Sequence, residues 1–246
     1  MKPWPYPRYC AHRGAGELAP ENTLAAVRLG HAHGYRMVEV DAKLSADGVS
    51  FLLHDETLDR TTSAHGRADA LPWRELALAD AGAWHSPPYA GEPPASLAAV
   101  ARFCRANATS VNVEIKPMPG RERETGAAVA LDAADLWHGA DLPPLLSSFS
   151  AVALAAARDA APELPRALLC EAPLSDWLAQ CRELECRALD IDHALLERGI
   201  VERAHAAGLA VLTWTVNDPA RAREFASWGV DTIITDAVDL IDPSDD

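Results

Sequence analysis

The sequence of residues 188–215 reads ALDIDHALLERGIVERAHAAGLAVLTWT. Two short strand-like runs, at 188–191 and 210–215, flank an Ala- and Leu-containing stretch that predicts a helix over 195–207. This order of strand, helix and strand is typical of the units that build parallel sheets. The alternation continues into a further predicted helix at 219–228 and extends through most of the chain.

Eight predicted strands begin these repeated units. Eight parallel strands, each followed by a helix, close a (β/α)8 barrel, and about 250 residues is the usual length of that fold. The chain of 246 residues is therefore expected to be one TIM-type barrel domain over residues 1–246. The predicted strands lie at 8–12, 37–41, 110–115, 145–149, 166–170, 188–191, 210–215 and 232–235. The predicted helices lie at 23–33, 96–106, 122–137, 150–161, 174–184, 195–207 and 219–228, with a short final helix over 237–241.

Residues 55–95 break the alternation, because prolines and tryptophans leave only short periodic pieces. We interpret these residues as a small insertion after the second strand that packs on the barrel. The run at 48–54 is expected to return along the second strand, since the pair Asp47-Gly48 is a strong hairpin signal.

The net charge of −14, from 22 basic and 36 acidic side chains, argues against nucleic-acid and anionic-membrane partners. The first nine residues lack the apolar core of a signal peptide, and the apolar runs are too short to span a membrane. Reduced thiols are expected, because the cysteines number five and form no CxxC pair. We therefore expect a cytoplasmic enzyme without stable membrane association, and the oligomeric state stays open. The cysteines are Cys10, Cys104, Cys170, Cys181 and Cys186.

Ionisable residues crowd the carboxyl ends of the predicted strands, where a TIM barrel places its active site. Glu39 and Asp41 are two residues apart and so face the same side of their strand, as do Glu114 and Lys116. Three carboxylates at this position predict one hard divalent cation, Mg²⁺ or Ca²⁺, between which ligand type does not distinguish. A structural ion-pair network is the alternative interpretation.

Two histidines end predicted strands beside these carboxylates. His12 and His54 can divide acid and base roles near neutral pH. Arg13 follows His12 directly and offers a planar fork that suits a phosphate. A metal, an arginine, a lysine and two histidines together favour phosphoryl chemistry over sugar or acyl chemistry.

The sequence resembles the glycerophosphodiester phosphodiesterase family in an ordered set of motifs that covers most of the chain. The resemblance implies a TIM barrel with a small insertion after the second strand. The motifs are His12-Arg13-Gly14, Pro20-Glu21-Asn22-Thr23, Glu39-x-Asp41, Asp47-Gly48, His54-Asp55, Thr61-Thr62, Glu114-x-Lys116, Ser147-Ser148-Phe149 and Trp214-Thr215-Val216-Asn217.

The same resemblance implies an activity and a role for each site residue. Glycerophosphodiesters would be hydrolysed to glycerol 3-phosphate and an alcohol. Asn22 or Thr23 is expected to cap the following helix, a structural role. The implied roles are metal binding for Glu39, Asp41 and Glu114, acid and base catalysis for His12 and His54, phosphate binding for Arg13 and Lys116, and a glycerol pocket lined by Trp214 and Phe149.

Two other functions remain open at this point. A related phospholipase C- or D-like barrel would act on intact lipid, although no exposed apolar or basic face for a bilayer is evident. A catalytically silent barrel would bind phosphorylated metabolites or a protein partner. The silent barrel predicts a missing histidine or metal carboxylate, whereas all of these residues are present.

Overall fold

Strands and helices alternate along the chain in the computed structural model of the protein, which describes residues 4–172 and 175–244. The strands are β1 (Tyr9–Ala11), β2 (Met37–Leu44), β3 (Ser50–Leu52), β4 (Ser110–Ile115), β5 (Leu145–Ser148), β6 (Arg166–Cys170), β7 (Ala188–Asp192), β8 (Ala210–Trp214) and β9 (Thr232–Thr235). The helices are α1 (Leu24–Ala32), α2 (Trp73–Leu76), α3 (Leu97–Ala106), α4 (Glu122–Leu136), α5 (Ala151–Ala160), α6 (Trp177–Glu183), α7 (Arg198–Ala206) and α8 (Pro219–Trp228).

Eight of the strands in these residues form a closed parallel ring. Strand β1 pairs with β9 on one side and with β2 on the other, which closes the sheet. Strand β3 lies outside the ring and pairs with β2 in antiparallel fashion. The predicted TIM-type barrel and the returning strand are therefore confirmed.

The apolar residues of the insertion after β3 pack in a small hydrophobic cluster that is separate from the main core. Leu58 and Leu76 pack there with Phe51 and Leu53 from the returning strand and with Met118. Helix α2 and a 3-10 helix at Pro87–Tyr89 are its helical elements in the described residues. Burial of this cluster explains how a segment without regular periodicity keeps a defined shape.

Alternation along each strand separates the barrel wall into two environments. On β2, Val38, Val40 and Ala42 pack outward into the main core under the helices. The intervening residues of β2 therefore face the barrel interior, beginning with Met37 and continuing with Glu39 and Asp41. Parallel register sets Asp41 beside Glu114 of β4, so adjacent strands deliver acidic groups to the same level.

Side-chain caps mark several of the predicted helix starts. Thr23, Ser96, Ser150 and Asp218 each accept a hydrogen bond from a backbone N–H of the first turn of their helix. Of the two residues predicted to cap α1, Asn22 and Thr23, it is Thr23 that makes the capping hydrogen bond. Helix α8 ends at Gly229, which adopts a left-handed conformation with φ of 88°.

Three predicted helices differ from the structure, and one of them, predicted over 195–207, begins only at Arg198. The final helix over 237–241 is only a turn, in which Leu240 N and Ile241 N both donate to the carbonyl of Ala237. Pro243 follows closely, and proline disfavours helical backbone in the residue before it. The helix predicted over 174–184 begins at Trp177, and position 174 lies outside the described residues.

No helix within residues 4–172 and 175–244 combines the length and the apolar character needed to cross a membrane.

Two glycines in helices provide a matched test of the barrel's packing. A Cβ added to Gly126 of α4 would overlap the carbonyl of Ala153 on α5, whereas one added to Gly199 of α7 would meet open space. We expect Gly126→Ala to lower the free energy of unfolding by roughly 1–3 kcal/mol because the helices cannot approach as closely. Gly199→Ala should leave it unchanged or raise it by up to about 1 kcal/mol. Urea unfolding measures both, and equal effects would contradict the close contact of α4 with α5.

Candidate active site

A cavity of about 150 Å³ opens at the carboxyl end of the strands. A larger hollow of about 840 Å³ lies at the opposite end of the barrel, around Trp4 and Arg187, but none of the predicted site residues lines it. The smaller cavity is therefore the candidate active site. The predicted residues that line it are His12, Arg13, Glu39, His54, Glu114, Lys116, Phe149 and Trp214.

Three buried carboxylates meet at one edge of this cavity. One carboxylate oxygen from each of Glu39, Asp41 and Glu114 lies within 4.8 Å of the other two. Burial, followed by the charges of Asp41 and Glu114, raises the pKa of Glu39 well above its usual range. Burial and Asp41 raise the pKa of Glu114 to about 7, against the charge of Lys116. Burial also opposes ionisation of Asp41, yet the charges of Lys116 and Arg13 prevail and lower its pKa.

The carboxylate cluster fits a divalent cation. Glu39 Oε1 and Asp41 Oδ1 are buried and accept no hydrogen bond from any described residue. Glu114 Oε1 has the Lys116 ammonium 2.9 Å away, as an ion pair without hydrogen-bond geometry. Buried carboxylate oxygens in this state are costly without a cation. An all-oxygen set of this kind suits Mg²⁺ or Ca²⁺ better than softer metals.

Asn22 binds Asp41 in the site, whereas the sequence analysis considered it only as a helix cap. Its Nδ2 donates to Asp41 Oδ2 over 2.7 Å, and its Oδ1 accepts from Asp41 N over 2.9 Å. The residue adopts a left-handed φ of 59°, which asparagine tolerates better than most residues. These two hydrogen bonds fix the orientation of the Asp41 carboxylate, while Thr23 caps the helix.

Each predicted catalytic histidine is oriented by its own aspartate. His12 Nδ1 lies 2.6 Å from Asp236 Oδ1, and His54 Nδ1 lies 2.8 Å from Asp55 Oδ1. An ionised carboxylate only accepts hydrogen bonds, so Nδ1 carries the proton in both rings. The Nε2 atoms of both rings face the site, and that of His12 accepts a hydrogen bond from Arg13 Nε over 3.3 Å. Burial lowers the pKa of His54, although the charge of Asp41 opposes the shift.

Asp236 was not predicted from the sequence. Burial raises the pKa of its carboxyl, but the hydrogen bond and charge of His12 outweigh burial and hold the pKa low. The residue directly follows β9 and so lies at the carboxyl end of the last strand. That position was the available signal, because the predicted strands at 37–41 and 110–115 also carry site carboxylates near their carboxyl ends.

Arg13 and Lys116 stand on either side of the carboxylates. Arg13 Nε lies 3.6 Å from Asp41 Oδ2, and its backbone N–H donates to Glu39 Oε2 over 3.0 Å. Lys116 Nζ lies 3.5 Å from Asp41 Oδ1. Arg13 also holds a left-handed φ of 50°, which turns its backbone N–H toward Glu39. Two cations therefore face the same cavity as the acidic cluster.

Two aromatic rings form part of the cavity wall. Phe149 and Trp214 meet edge to face, with ring centroids 5.5 Å apart. Lys116 Nζ lies 5.6 Å from the Phe149 ring centroid. Trp214 Nε1 is buried and has no acceptor among the described residues, so the indole N–H can serve a bound molecule. The predicted site residues are thus brought together around one cavity.

Comparison with known proteins now assigns the chain to a family. The model of the glycerophosphoryl diester phosphodiesterase family matches residues 12–240. The chain belongs to this family. A glycerophosphodiester phosphodiesterase of Caldanaerobacter subterraneus is 30% identical over 230 residues, which cover 92% of each chain.

Solved structures agree with this assignment. A phosphodiesterase of Oleispira antarctica, in complex with the product sn-glycerol-3-phosphate, matches with a TM-score of 0.88 and 34% identity over 94% of each chain. A glycerophosphodiester phosphodiesterase of Agrobacterium tumefaciens matches with a TM-score of 0.78 and 31% identity, over 95% of this chain and 98% of that one. The chain is a glycerophosphodiester phosphodiesterase by family and fold, and the predicted resemblance is confirmed.

This phosphodiesterase cavity is also lined by polar residues to which the sequence analysis gave no role. Asn112, Ser147 and Asp190 line it, and each has a buried side-chain atom without a hydrogen-bond partner among the described residues. Burial, with the charge of Glu114, raises the pKa of Asp190 well above its usual range. Inward alternation was the available signal, since Asn112 precedes Glu114 by two residues on β4.

Lys43 is a further missed residue. It lies two positions beyond Asp41 on β2 and is only 1% exposed. Its Nζ donates to the carbonyl of Lys116 over 3.2 Å. Burial lowers the pKa of its ammonium to about 8, although Asp41 opposes the shift. Lys43 therefore connects the end of β2 to the segment that follows β4.

The raised pKa of Asp190 predicts a pH-dependent stability. The folded chain binds this proton more tightly than the unfolded chain, whose pKa is about 3.9, so stability is lost as the pH rises above that value. Asp190→Asn removes the ionisable group at nearly constant shape. We expect the free energy of unfolding of the variant, relative to the parent, to increase from pH 4 to pH 8.

Urea unfolding of metal-free protein in EDTA measures this difference. The EDTA keeps a bound cation from altering the charge of the cavity during the titration. A difference between variant and parent that stays constant across the pH range would contradict the raised pKa of Asp190.

Proposed function

We propose that the chain hydrolyses water-soluble glycerophosphodiesters to sn-glycerol 3-phosphate and an alcohol, with one divalent cation and two histidines. Glu39, Asp41 and Glu114 would hold the cation, Mg²⁺ or Ca²⁺. The observation that carries the proposal is the pair of aspartate-oriented histidines, His12 and His54, on the same cavity as the acidic cluster. The product complex of the Oleispira antarctica relative supports the choice of product.

Substrate binding would use the two cations of the cavity. The Arg13 guanidinium and the Lys116 ammonium hold the anionic oxygens of the phosphodiester against the overall negative charge of the chain. A bound divalent cation supplies further positive charge to these oxygens as they develop negative charge in the transition state. Phe149 and Trp214 would border the glycerol moiety, and Trp214 Nε1, which has no acceptor among the described residues, would donate to one of its oxygens.

Proton transfer would be divided between the two imidazoles. Burial lowers the pKa of His54, so its Nε2 is free to accept a proton near neutral pH, and we assign His54 as the general base. His12 acts from its imidazolium form, with protons on both nitrogens, and donates the Nε2 proton to the departing alkoxide. The attacking oxygen is either water or the 2-hydroxyl of the glycerol moiety, and the second route passes through a cyclic phosphate. Asp55 fixes the Nδ1–H tautomer of His54, and Asp236 stabilises the charged ring of His12.

We also propose a single domain and a cytoplasmic location. The insertion shares Phe51 and Met118 with segments of the barrel in one hydrophobic cluster, which supports one domain. All five cysteines are free and buried, as is typical of a reducing compartment.

Removal of either histidine should slow turnover strongly. Purified protein is assayed with glycerophosphocholine, and release of sn-glycerol 3-phosphate is followed with and without EDTA. We expect EDTA to abolish release, added Mg²⁺ or Ca²⁺ to restore it, and His12→Ala and His54→Ala to lower kcat by about 10²–10⁴-fold. His138→Ala, outside the site, is the control. Near-normal turnover in both site variants would show that the roles are assigned wrongly.

The same assay distinguishes hydrolysis of water-soluble glycerophosphodiesters from the phospholipase-like alternative. Activity on phospholipid vesicles but not on glycerophosphocholine would favour the phospholipase-like function, and absence of both activities from folded protein would favour a binding role.

Metal binding can be tested without activity. A ligand that binds only the folded chain raises its stability, by about 2.7 kcal/mol when present at 100 times its Kd. We expect Mg²⁺ or Ca²⁺ to raise the Tm of the wild-type protein. Glu39→Gln and Glu114→Gln should remove this increase, since each deletes one anionic ligand. Glu122→Gln, on the exposed start of α4, is the control variant. An equal increase in all four proteins would place the cation elsewhere.

A further inference from the structure

Arg60, in the insertion, pairs with two carboxylates, Glu21 and Asp55, that contact different residues of the site. Its Nε and Nη2 donate to the two oxygens of Asp55 over 2.6 and 2.9 Å. Its Nη1 and Nη2 donate to the two oxygens of Glu21 over 2.8 and 2.7 Å. One guanidinium thus makes four hydrogen bonds, in the bidentate geometry that fits a planar fork to a carboxylate.

Each of these carboxylates has a second partner in the active site. Asp55 Oδ1 also accepts from His54 Nδ1 over 2.8 Å. Glu21 Oε1 also accepts from Arg13 Nη1 over 2.8 Å. A continuous chain of hydrogen bonds therefore runs from Arg13 through Glu21, Arg60 and Asp55 to His54.

The backbone that presents Arg60 is held by the insertion itself. Leu58 is buried in the insertion's hydrophobic cluster. Thr62 N and Thr62 Oγ1 both donate to the carbonyl of Leu58, over 3.1 and 2.8 Å. Thr61 and Thr62 are themselves buried, so Arg60 sits on a fixed turn. Its side chain reaches from this turn to Glu21, which precedes it by 39 residues.

A contribution of Arg60 to folding stability does not by itself explain these four hydrogen bonds. The Arg60 side chain is 44% exposed, so water screens its ion pairs and limits what they add to folding, although bidentate pairs in a network do contribute. The contacts also fix the relative positions of site residues. Glu21 binds Arg13 and Asp55 binds His54, and both Arg13 and His54 are proposed to act on the substrate. We propose that Arg60 is a positioning residue that fixes the phosphate-binding fork of Arg13 relative to the ring of His54. This inference rests on the proposed function of those two residues.

The inference predicts combined effects on binding and turnover. Arg60→Ala should lower kcat/KM by about 10–10²-fold, which is the usual effect of losing a residue that orients a site group. KM should rise because Arg13 loses its orientation, and kcat should fall because His54 does. Arg60→Lys should recover little, because a single ammonium cannot bridge two carboxylates bidentately. Added guanidinium chloride, at concentrations that do not unfold the protein, should partly restore Arg60→Ala, whereas sodium chloride at equal ionic strength should not.

Arg67 provides a matched control. It lies in the same insertion, is 56% exposed and forks onto Asp69 over 2.9 and 3.0 Å, away from the cavity. Arg67→Ala should keep normal kcat and KM. Calorimetric binding of sn-glycerol 3-phosphate adds a readout that needs no turnover, and Arg60→Ala should bind it more weakly than Arg67→Ala does.

The outcomes separate the inference from the function on which it rests. If the wild-type protein hydrolyses glycerophosphocholine and Arg60→Ala matches Arg67→Ala in kinetics and product binding, Arg60 is not a positioning residue. A loss in Arg60→Ala that follows a fall in Tm, with no recovery in guanidinium, overturns the inference as well. Absence of hydrolysis by the wild-type protein counts against the proposed function instead.

Discussion

Burial of three carboxylates at one level of the barrel is the constraint on which the rest of the site depends. Like charges in a poorly hydrated place repel one another and lose solvation, which is why the pKa values of Glu39 and Glu114 rise. The fold compensates with nearby cations and with amide hydrogen bonds. Lys116 and Arg13 flank the cluster, and Asn22 donates to the Asp41 carboxylate while accepting from the Asp41 backbone N–H. Oxygens that remain without partners are the ones a divalent cation would use.

The barrel can carry this charge because each strand divides its residues between two environments. On β2 the outward residues Val38 and Val40 lie in the apolar core, whereas Glu39 and Asp41 alternate with them toward the cavity. A register in which Asp41 pairs with Glu114 then sets the third carboxylate beside the first two. Apolar packing outside the ring therefore stabilises the wall that holds the unfavourable charges within it.

Much of the fold and part of the site follow from local sequence signals. Alternating strand and helix patterns predicted the barrel, and two-residue spacing placed Glu39 with Asp41. Contacts between residues that meet only when the barrel closes could not be predicted from such local signals. Asp236 meets His12 across 224 residues, and only pairing of β1 with β9 brings them together. Asn22 shows a different limit, because a residue suited to capping a helix serves the neighbouring carboxylate instead.

The two histidines are positioned by separate parts of the structure, and this separation has a functional consequence. His12 takes its orientation from Asp236, which the closure of the barrel provides. His54 takes its orientation from Asp55, whose other partner, Arg60, stands on a turn of the insertion. Substitutions in the insertion can therefore act on His54 through Asp55 alone, whereas they reach His12 only through Glu21 and Arg13, whose Nε donates to His12 Nε2 over 3.3 Å. Under the proposed mechanism the insertion therefore contributes to catalysis, because its Arg60 contacts the aspartate that orients His54.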